Sequence, residues 1–200
     1  PYTDSFTAVS ADGTTHTVTV TMTGSNDQPT TGTNITQQTV RNTAVSTQIS
    51  SLVVKGTHWT DLDENATLKG LAISWSQATA AQGTWDWSAD GATGWTALPD
   101  LSTNQPSTAV FLNATDYLRF TPTTGYTGTA GQLYFRVADN TFTDTASGTR
   151  VNVSQFNSTG QAMRLAPLTV RVSVAVAPVV SDRVGDRALT CGPVTMDVNG

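Results

Sequence analysis

The chain has few cysteines, few basic residues and no long apolar run, and each shortage excludes a class of protein. Cys191 is the only cysteine among 200 residues, so no intrachain disulfide can form and a disulfide-stapled scaffold is excluded. Ten scattered Lys and Arg residues against fifteen acidic ones, a net charge of −5, argue against a nucleic-acid partner. Without a long apolar run, membrane insertion is not expected.

Threonine is abundant instead, and short apolar runs alternate with polar residues between Gly, Pro, Asn and Asp. Such runs recur about every ten residues, and no stretch repeats with the 3.6-residue period of a helix. The pattern predicts an all-β protein, an antiparallel Ig-like or cadherin-like β-sandwich. Of the fifteen acidic residues only Glu64 is a glutamate, and aspartate suits both tight turns and calcium-binding loops.

The chain divides into three predicted segments. Residues 1–29 hold two strands, YTDSFTAVS and TTHTVTVTM, joined by an Asp-Gly turn and followed by a linker rich in turn-forming residues. Residues 30–178 form the main sandwich, with a polar insertion around 141–165. Residues 179–200 are a tail or the start of another module. Two strands cannot close a sandwich alone, so we expect the exposed edges of the first segment to pair with another copy, giving a dimer, or with an edge of the main sandwich.

Four tryptophans have two interpretations. Alternation in LKGLAISW places Leu71, Ile73 and Trp75 on one face, and GTWDWS aligns Trp85 with Trp87. We therefore predict that these side chains and Trp95 pack in the core. The alternative is an exposed aromatic platform for a sugar or another ligand.

Residues 1–29, YTDSFTAVSADGTTHTVTVTMTGSNDQP, resemble the closing half of a VCBS-type repeat, a module found in tandem in giant bacterial adhesins of the RTX type. Across 30–178 the chain resembles a cadherin-like domain of the same proteins; the matching pieces are TDLDENATLKGLAI, GTWDWSADGATGW, DYLRFTP, GYTG and LYFRVAD. The resemblance implies a secreted array on the bacterial cell surface, exported by a type I route, with neighbouring repeats as partners and calcium near the module junctions.

The acidic residues of the loops are the candidate metal ligands. Asp61, Asp63 and Glu64 lie in TDLDENAT, where the D-x-D spacing lets two carboxylates converge on one Ca²⁺, although a solvated acidic turn is an open alternative. Asn26 and Asp27 lie in the linker and can supply oxygens from the other side. Asp139, with Asn140, either completes this site or forms an Asx turn. The EF-hand pattern is absent.

The sequence therefore predicts a calcium-rigidified structural or adhesion module, active in cell adhesion or biofilm attachment. A carbohydrate-binding module is the alternative. An enzyme is not expected, because His16 and His58 have no Gly-x-Ser-x-Gly nucleophile or cysteine partner nearby, and a glycosidase would need two carboxylates that only the fold can bring together.

Overall fold

The computed structural model describes residues 2–103, 107–143, 146–154 and 170–179, with the backbone alone at 170–172. Almost all regular structure in these residues is β, which confirms the predicted fold class. The helix α1 (Ile49–Leu52) is a single turn, and no described helix is long and apolar enough to cross a membrane. The predicted tail, 179–200, and residues 155–165 of the predicted insertion lie outside the described residues, apart from residue 179.

The N-terminal hairpin is built from β1 (Tyr2–Val9) and β2 (Thr15–Met22), as predicted. Its strands pair antiparallel, with Phe6 opposite Val18, and the connecting turn places Gly13 at φ +87°, a value that favours glycine. Every residue of both strands is exposed. One face carries the apolar side chains and the other carries mainly threonines, so the hairpin has an apolar face that the described sandwich does not cover.

The sandwich has a large and a small sheet. The large sheet contains β4 (Ile35–Val40), β7 (Leu68–Ser76), β10 (Thr108–Asn113), β12 (Gly128–Thr129), β13 (Leu133–Asp139), β14 (Arg150–Asn152) and β15 (Val170–Ala177). Its order is β12-β15-β13-β7-β10-β14, all antiparallel, and β4 joins β15 in parallel. The small sheet contains β5 (Val45–Gln48), β8 (Gly83–Ser88), β9 (Thr96–Ala97) and β11 (Tyr117–Pro122) in the order β5-β11-β8-β9.

Two short elements complete the fold near the linker. The strands β3 (Thr30–Thr31) and β6 (Trp59–Thr60) pair and hold the end of the linker against the sandwich. The turn α1 was not expected from the sequence. It forms because Ile49 and Leu52, three residues apart, are both buried, and because the Ile49 N–H donates to the carbonyl of Asp116 at 2.8 Å.

The main core lies between the two sheets. The large sheet contributes Leu71, Ile73, Leu133, Phe135 and Val137, and the small sheet contributes Trp85, Leu118 and Phe120. Trp85 and Phe120 contact each other with ring centroids 5.0 Å apart. Removing these side chains from water is the main favourable term in folding, and the alternation of the strands is what directs them inward.

The outer face of the large sheet has a second apolar cluster. Phe142 stacks on Phe111 with centroids 4.9 Å apart, and it is surrounded by Ala72, Ala109, Ala138 and Val153. The segment after β13 therefore folds back over the sheet, and its continuation β14 pairs with β10. The first part of the predicted 141–165 insertion thus covers a face that would otherwise be exposed.

The tryptophan prediction was wrong for Trp75. Between β7 and β13 the register shifts, so that Phe135 lies opposite Ile73 while Tyr134 lies opposite Trp75 and Ser74 is skipped. This bulge moves Trp75 off the face of Leu71 and Ile73 and stacks it, half-buried, on Tyr134 at 4.5 Å.

The other three tryptophans divide between core and surface. Trp85 is buried, and Trp87 is partly buried against the core, as predicted. Trp95 is half-buried outside the core and lies over the guanidinium of Arg119, 3.8 Å from the ring centroid. The core prediction for Trp95 is therefore wrong as well.

Replacing Phe142 by alanine tests whether the covering segment stabilises the sandwich. Phe142 is 3% exposed, and we expect Phe142→Ala to lower the free energy of unfolding by about 3 kcal/mol, because it leaves a cavity over Phe111. Urea unfolding followed by fluorescence measures this change. The control Phe6→Ala, at a hairpin side chain that is 59% exposed, should change it by about 0.5 kcal/mol or less. Equal effects would show that the segment adds no stability.

Candidate metal centre

The acidic loops meet at the end of the sandwich where β7 begins and β13 ends, and Asp139 lies opposite Leu68 in the register there. We call this end the acidic pole and define it by Asp61, Asp63 and Asp139. The loop between β6 and β7 carries the first two residues, and the end of β13 carries the third. Pairing of the two strands thus brings together residues more than seventy positions apart.

The linker contacts the acidic pole directly. The backbone N–H of Asp27 donates to Oδ2 of Asp63 at 2.7 Å, and Nδ2 of Asn26 lies 3.4 Å from Oδ2 of Asp139. Asn26 Nδ2 also donates to the backbone carbonyl of Asp27 at 2.8 Å. The linker between the hairpin and the sandwich is therefore held by the carboxylates of the pole.

The two carboxylate oxygens of Asp61 differ in their hydrogen bonding. Its Oδ1 accepts a hydrogen bond from the backbone N–H of Asp63 at 2.8 Å, but its Oδ2 is buried and has no partner among the described residues. Burial raises the pKa of Asp61, and the nearby carboxylates of Asp139 and Asp63 raise it further, against the opposing effects of the Asp63 N–H and of Lys55. An ionised carboxylate is therefore unfavourable at this position without an added positive charge.

Asp139 is fully buried. Its Oδ1 accepts hydrogen bonds from the backbone N–H of Thr141 at 2.7 Å and from the Thr141 hydroxyl at 2.5 Å. These are the bonds of an Asx turn, as the alternative interpretation predicted. They do not balance the charge, because the one ion pair in the described part of the chain joins Arg119 to Asp86 on the small sheet.

The structure brings together five of the six predicted ligands: Asn26, Asp27, Asp61, Asp63 and Asp139. Glu64 is exposed and takes no part in the hydrogen bonds of the pole among the described residues. Asn140, which was predicted together with Asp139, accepts a hydrogen bond from the backbone N–H of Thr67 at 2.9 Å. This bond ties the end of the β6–β7 loop to the residue after β13. Sequence reasoning missed Thr141 and Lys55, since neither residue belongs to an acidic motif.

The donor set matches a hard cation in its chemistry. In the residues that the structure describes, no three acidic, histidine or cysteine side chains are arranged to hold a metal by themselves. Calcium also takes amide and backbone carbonyl oxygens, and Asn26 and Asp27 carry both kinds in the linker. In the structure their N–H groups donate to the carboxylates of the pole, so calcium binding would require these groups to turn and present their oxygens. The buried oxygen of Asp61 without a donor is what such an ion would satisfy. On this observation the residues fit calcium, with Asp61, Asp63 and Asp139 supplying the charge.

A second contact holds the linker beside the pole. Gly32 N–H donates to the carbonyl of His58 at 2.8 Å, next to the β3–β6 pair. The imidazole Nδ1 of His58 accepts from the backbone N–H of Val54 at 3.0 Å, which requires that this nitrogen carry no proton. Burial lowers the pKa of His58 in the folded protein. His58 is therefore a packing residue of the loop that receives the linker.

Comparisons with known proteins do not assign a family. No protein-family model matches the chain, and no curated protein matches its sequence. The resemblance to VCBS-type and cadherin-like repeats therefore stays a prediction drawn from the quoted motifs.

The His58 contact predicts a loss of stability in mild acid. Because the folded-state pKa is depressed, the stability contributed by neutral His58 is fully present above the unfolded pKa of about 6.5 and is lost as the pH falls through the folded pKa. Urea midpoints measured from about pH 8 to about pH 5 should fall more steeply for the unmodified chain than for His58→Asn. Parallel slopes would rule out a role for this imidazole.

Proposed function

We propose that the chain is a calcium-rigidified, extracellular structural and adhesion module of a bacterial surface adhesin, without catalytic activity. The observation that carries the proposal is the contact of the linker with Asp63 and Asp139, beside Asp61, whose buried Oδ2 has no partner among the described residues. The motifs quoted above supply the remaining parts of the proposal, namely the secreted location, the neighbouring repeats and adhesion or biofilm attachment.

The charges at the acidic pole support calcium as the ion that it binds. Three carboxylates approach one another at the pole. Among the described residues Lys55 is the cation that acts on Asp61, and its ammonium donates to the carbonyl of Ala66 at 2.7 Å. A divalent cation would offset the repulsion and satisfy the free oxygen of Asp61. When bound, calcium supplies positive charge and flexible oxygen coordination, and the chain supplies ligands from both linker and sandwich.

Stiffness of the junction follows from the origin of these ligands. Asn26 and Asp27 belong to the linker, whereas Asp61, Asp63 and Asp139 belong to the sandwich. An ion that binds both sets disfavours every orientation in which the linker leaves the pole. Since an ion bound only by the folded state also adds RT ln(1 + [Ca²⁺]/Kd), extracellular calcium would both stabilise and straighten an array of such modules.

A pairing role for the hairpin belongs to the same proposal. The apolar face of the hairpin and its two strand edges are exposed, as in Tyr2 at 65% and Phe6 at 59%. An isolated two-stranded hairpin is marginal in water, so contact with a neighbouring repeat or with a second copy would stabilise it. This contact would continue the array on the far side of the linker.

Calcium should raise the melting temperature, and a chelator should lower it. At a calcium concentration about one hundred times Kd the added stability is about 2.7 kcal/mol, which calorimetry resolves easily. Magnesium at the same concentration should have a much smaller effect, because it demands a tighter octahedral site. Identical melting curves in calcium and in chelator would remove the proposed mechanism.

Replacing Asp61 by asparagine should have opposite effects with and without calcium. The pKa of Asp61 is raised from 3.8 in the fold, so the stability it contributes is present below that value and is lost as the pH rises through the folded pKa. At neutral pH in chelator, Asp61→Asn should therefore raise the melting temperature, while most of the increase caused by calcium should disappear.

The matched control for this variant is Asp4→Asn, which removes one exposed carboxylate from the hairpin. Calorimetry in chelator and in excess calcium should show the full calcium response for this control. If Asp61→Asn kept the same calcium response as Asp4→Asn, then Asp61 would not be a ligand.

A further inference from the structure

A cleft lies at the opposite end of the sandwich from the acidic pole. It opens beside Ser76, the last residue of β7, and Leu68 at the pole is eight residues away along the same strand, about 26 Å. Its volume is about 220 Å³. Since a water in the liquid occupies about 30 Å³, the space is that of a small organic molecule rather than of a single water.

The cleft is formed by residues 97–102, which we call the strap. The strap leaves the small sheet, where Leu98 N–H donates to the carbonyl of Trp85 at 3.0 Å, and it reaches the large sheet, where the carbonyl of Leu101 accepts from Ser76 N–H at 2.8 Å. Both ends are thus fixed by backbone hydrogen bonds. The cleft is a consequence of how the strap crosses between the sheets.

Small side chains leave the cleft open. Ala78, Ala80 and Ala97 line it at positions where larger apolar residues would fill the space. Protein interiors are normally packed to the density of organic crystals, so small side chains at these positions leave space that larger ones would occupy. Leu101, which is 3% exposed, and Trp85 close its inner end.

The lining is apolar on its walls and polar at its rim. Leu98, Pro99 and the indole of Trp85 form walls, while Thr84 and Asp100 lie exposed at the edge. Hydrogen bonds from Ser102 lower the pKa of Asp100, and the backbone N–H of Ser102 lies 2.9 Å from its Oδ1. The rim therefore carries an ionised carboxylate that accepts hydroxyl donors, and the guanidinium of Arg150, 3.4 Å from the backbone carbonyl of Asp100, lies beside it.

A cationic ligand is a poorer match than a neutral one. Trp85 is 5% exposed, so it offers little open ring face for a cation–π contact, and the apolar walls would strip water from a charge. A sugar ring has an apolar C–H face and peripheral hydroxyls, and it needs no charge to be desolvated. Its rigidity also lowers the entropic cost of binding.

We propose that the cleft between the strap and β8 binds a single neutral pyranose residue, with the C–H face against Leu98 and Pro99 and a hydroxyl on Asp100. This site differs from the exposed tryptophan platform that the sequence offered as an alternative, because Trp85, the tryptophan that lines it, belongs to the core. It is independent of calcium and of the acidic pole.

Titration of the calcium-saturated protein with methyl glycosides of glucose, galactose, mannose and N-acetylglucosamine tests the proposal. The indole N–H signals of the five tryptophans are followed by ¹⁵N NMR. At least one glycoside should shift the Trp85 signal in a saturable way, while the Trp59 signal, next to the linker, stays in place. The Trp75 signal can shift as well, because the Trp75 indole N–H donates to the carbonyl of Ser102 in the strap. The absence of any saturable shift would overturn the proposal, as would a shift at Trp95 alone.

Ala97→Leu provides the decisive variant, because it fills the cleft from an exposed position on the edge strand β9. It should weaken binding at least about tenfold. The matched control, Ala92→Leu, adds the same side chain in an exposed turn outside the cleft and should leave affinity within about twofold. Equal affinity in the two variants would place the sugar elsewhere and overturn the assignment, and so would tighter binding of lysine methyl ester than of any glycoside.

Discussion

The pairing of β7 with β13 is the constraint on which the rest of the structure depends. Its register runs from Leu68 opposite Asp139 at one end to Ser76 opposite Leu133 at the other. Between these ends it places Leu71, Ile73, Phe135 and Val137 in the core, and burial of those side chains holds the register, since a slip by one residue would turn them all outward. The acidic pole, the displaced Trp75 and the cleft beside Ser76 follow from this single alignment.

The two ends of β7 differ in their surroundings. At the pole, burial and the neighbouring carboxylates of Asp139 and Asp63 raise the pKa of Asp61, and the linker contributes N–H donors but no positive charge. At the other end, the strap spans the two sheets over small side chains and leaves space instead of charge. The first arrangement favours a cation and the second a neutral ligand. A module that combines them would join its neighbours at one end and contact a surface at the other.

Much of the fold could be predicted from local patterns. Alternation identified the hairpin and the central strands, because the two-residue period of a strand is a local property. The same rule failed at Trp75, where a bulge skips Ser74, and no residue type signals a bulge reliably. The single turn at Ile49 was missed for a related reason, since it depends on hydrogen bonds to Asp116 and Ala114 from a distant loop.

The candidate site, like the fold, could be predicted from the sequence only in part. The residue types can be read from the sequence: aspartates and an asparagine in loops, one cysteine and therefore no intrachain disulfide, and a linker rich in turn-forming residues. Which of these residues meet depends on the folded structure. Folding places Asp139 beside Asn26, exposes Glu64 to solvent and leaves Asp61 Oδ2 with no donor among the described residues. Composition and spacing act along the chain, whereas repulsion, burial and the space under the strap depend on distances that exist only after the strands have paired.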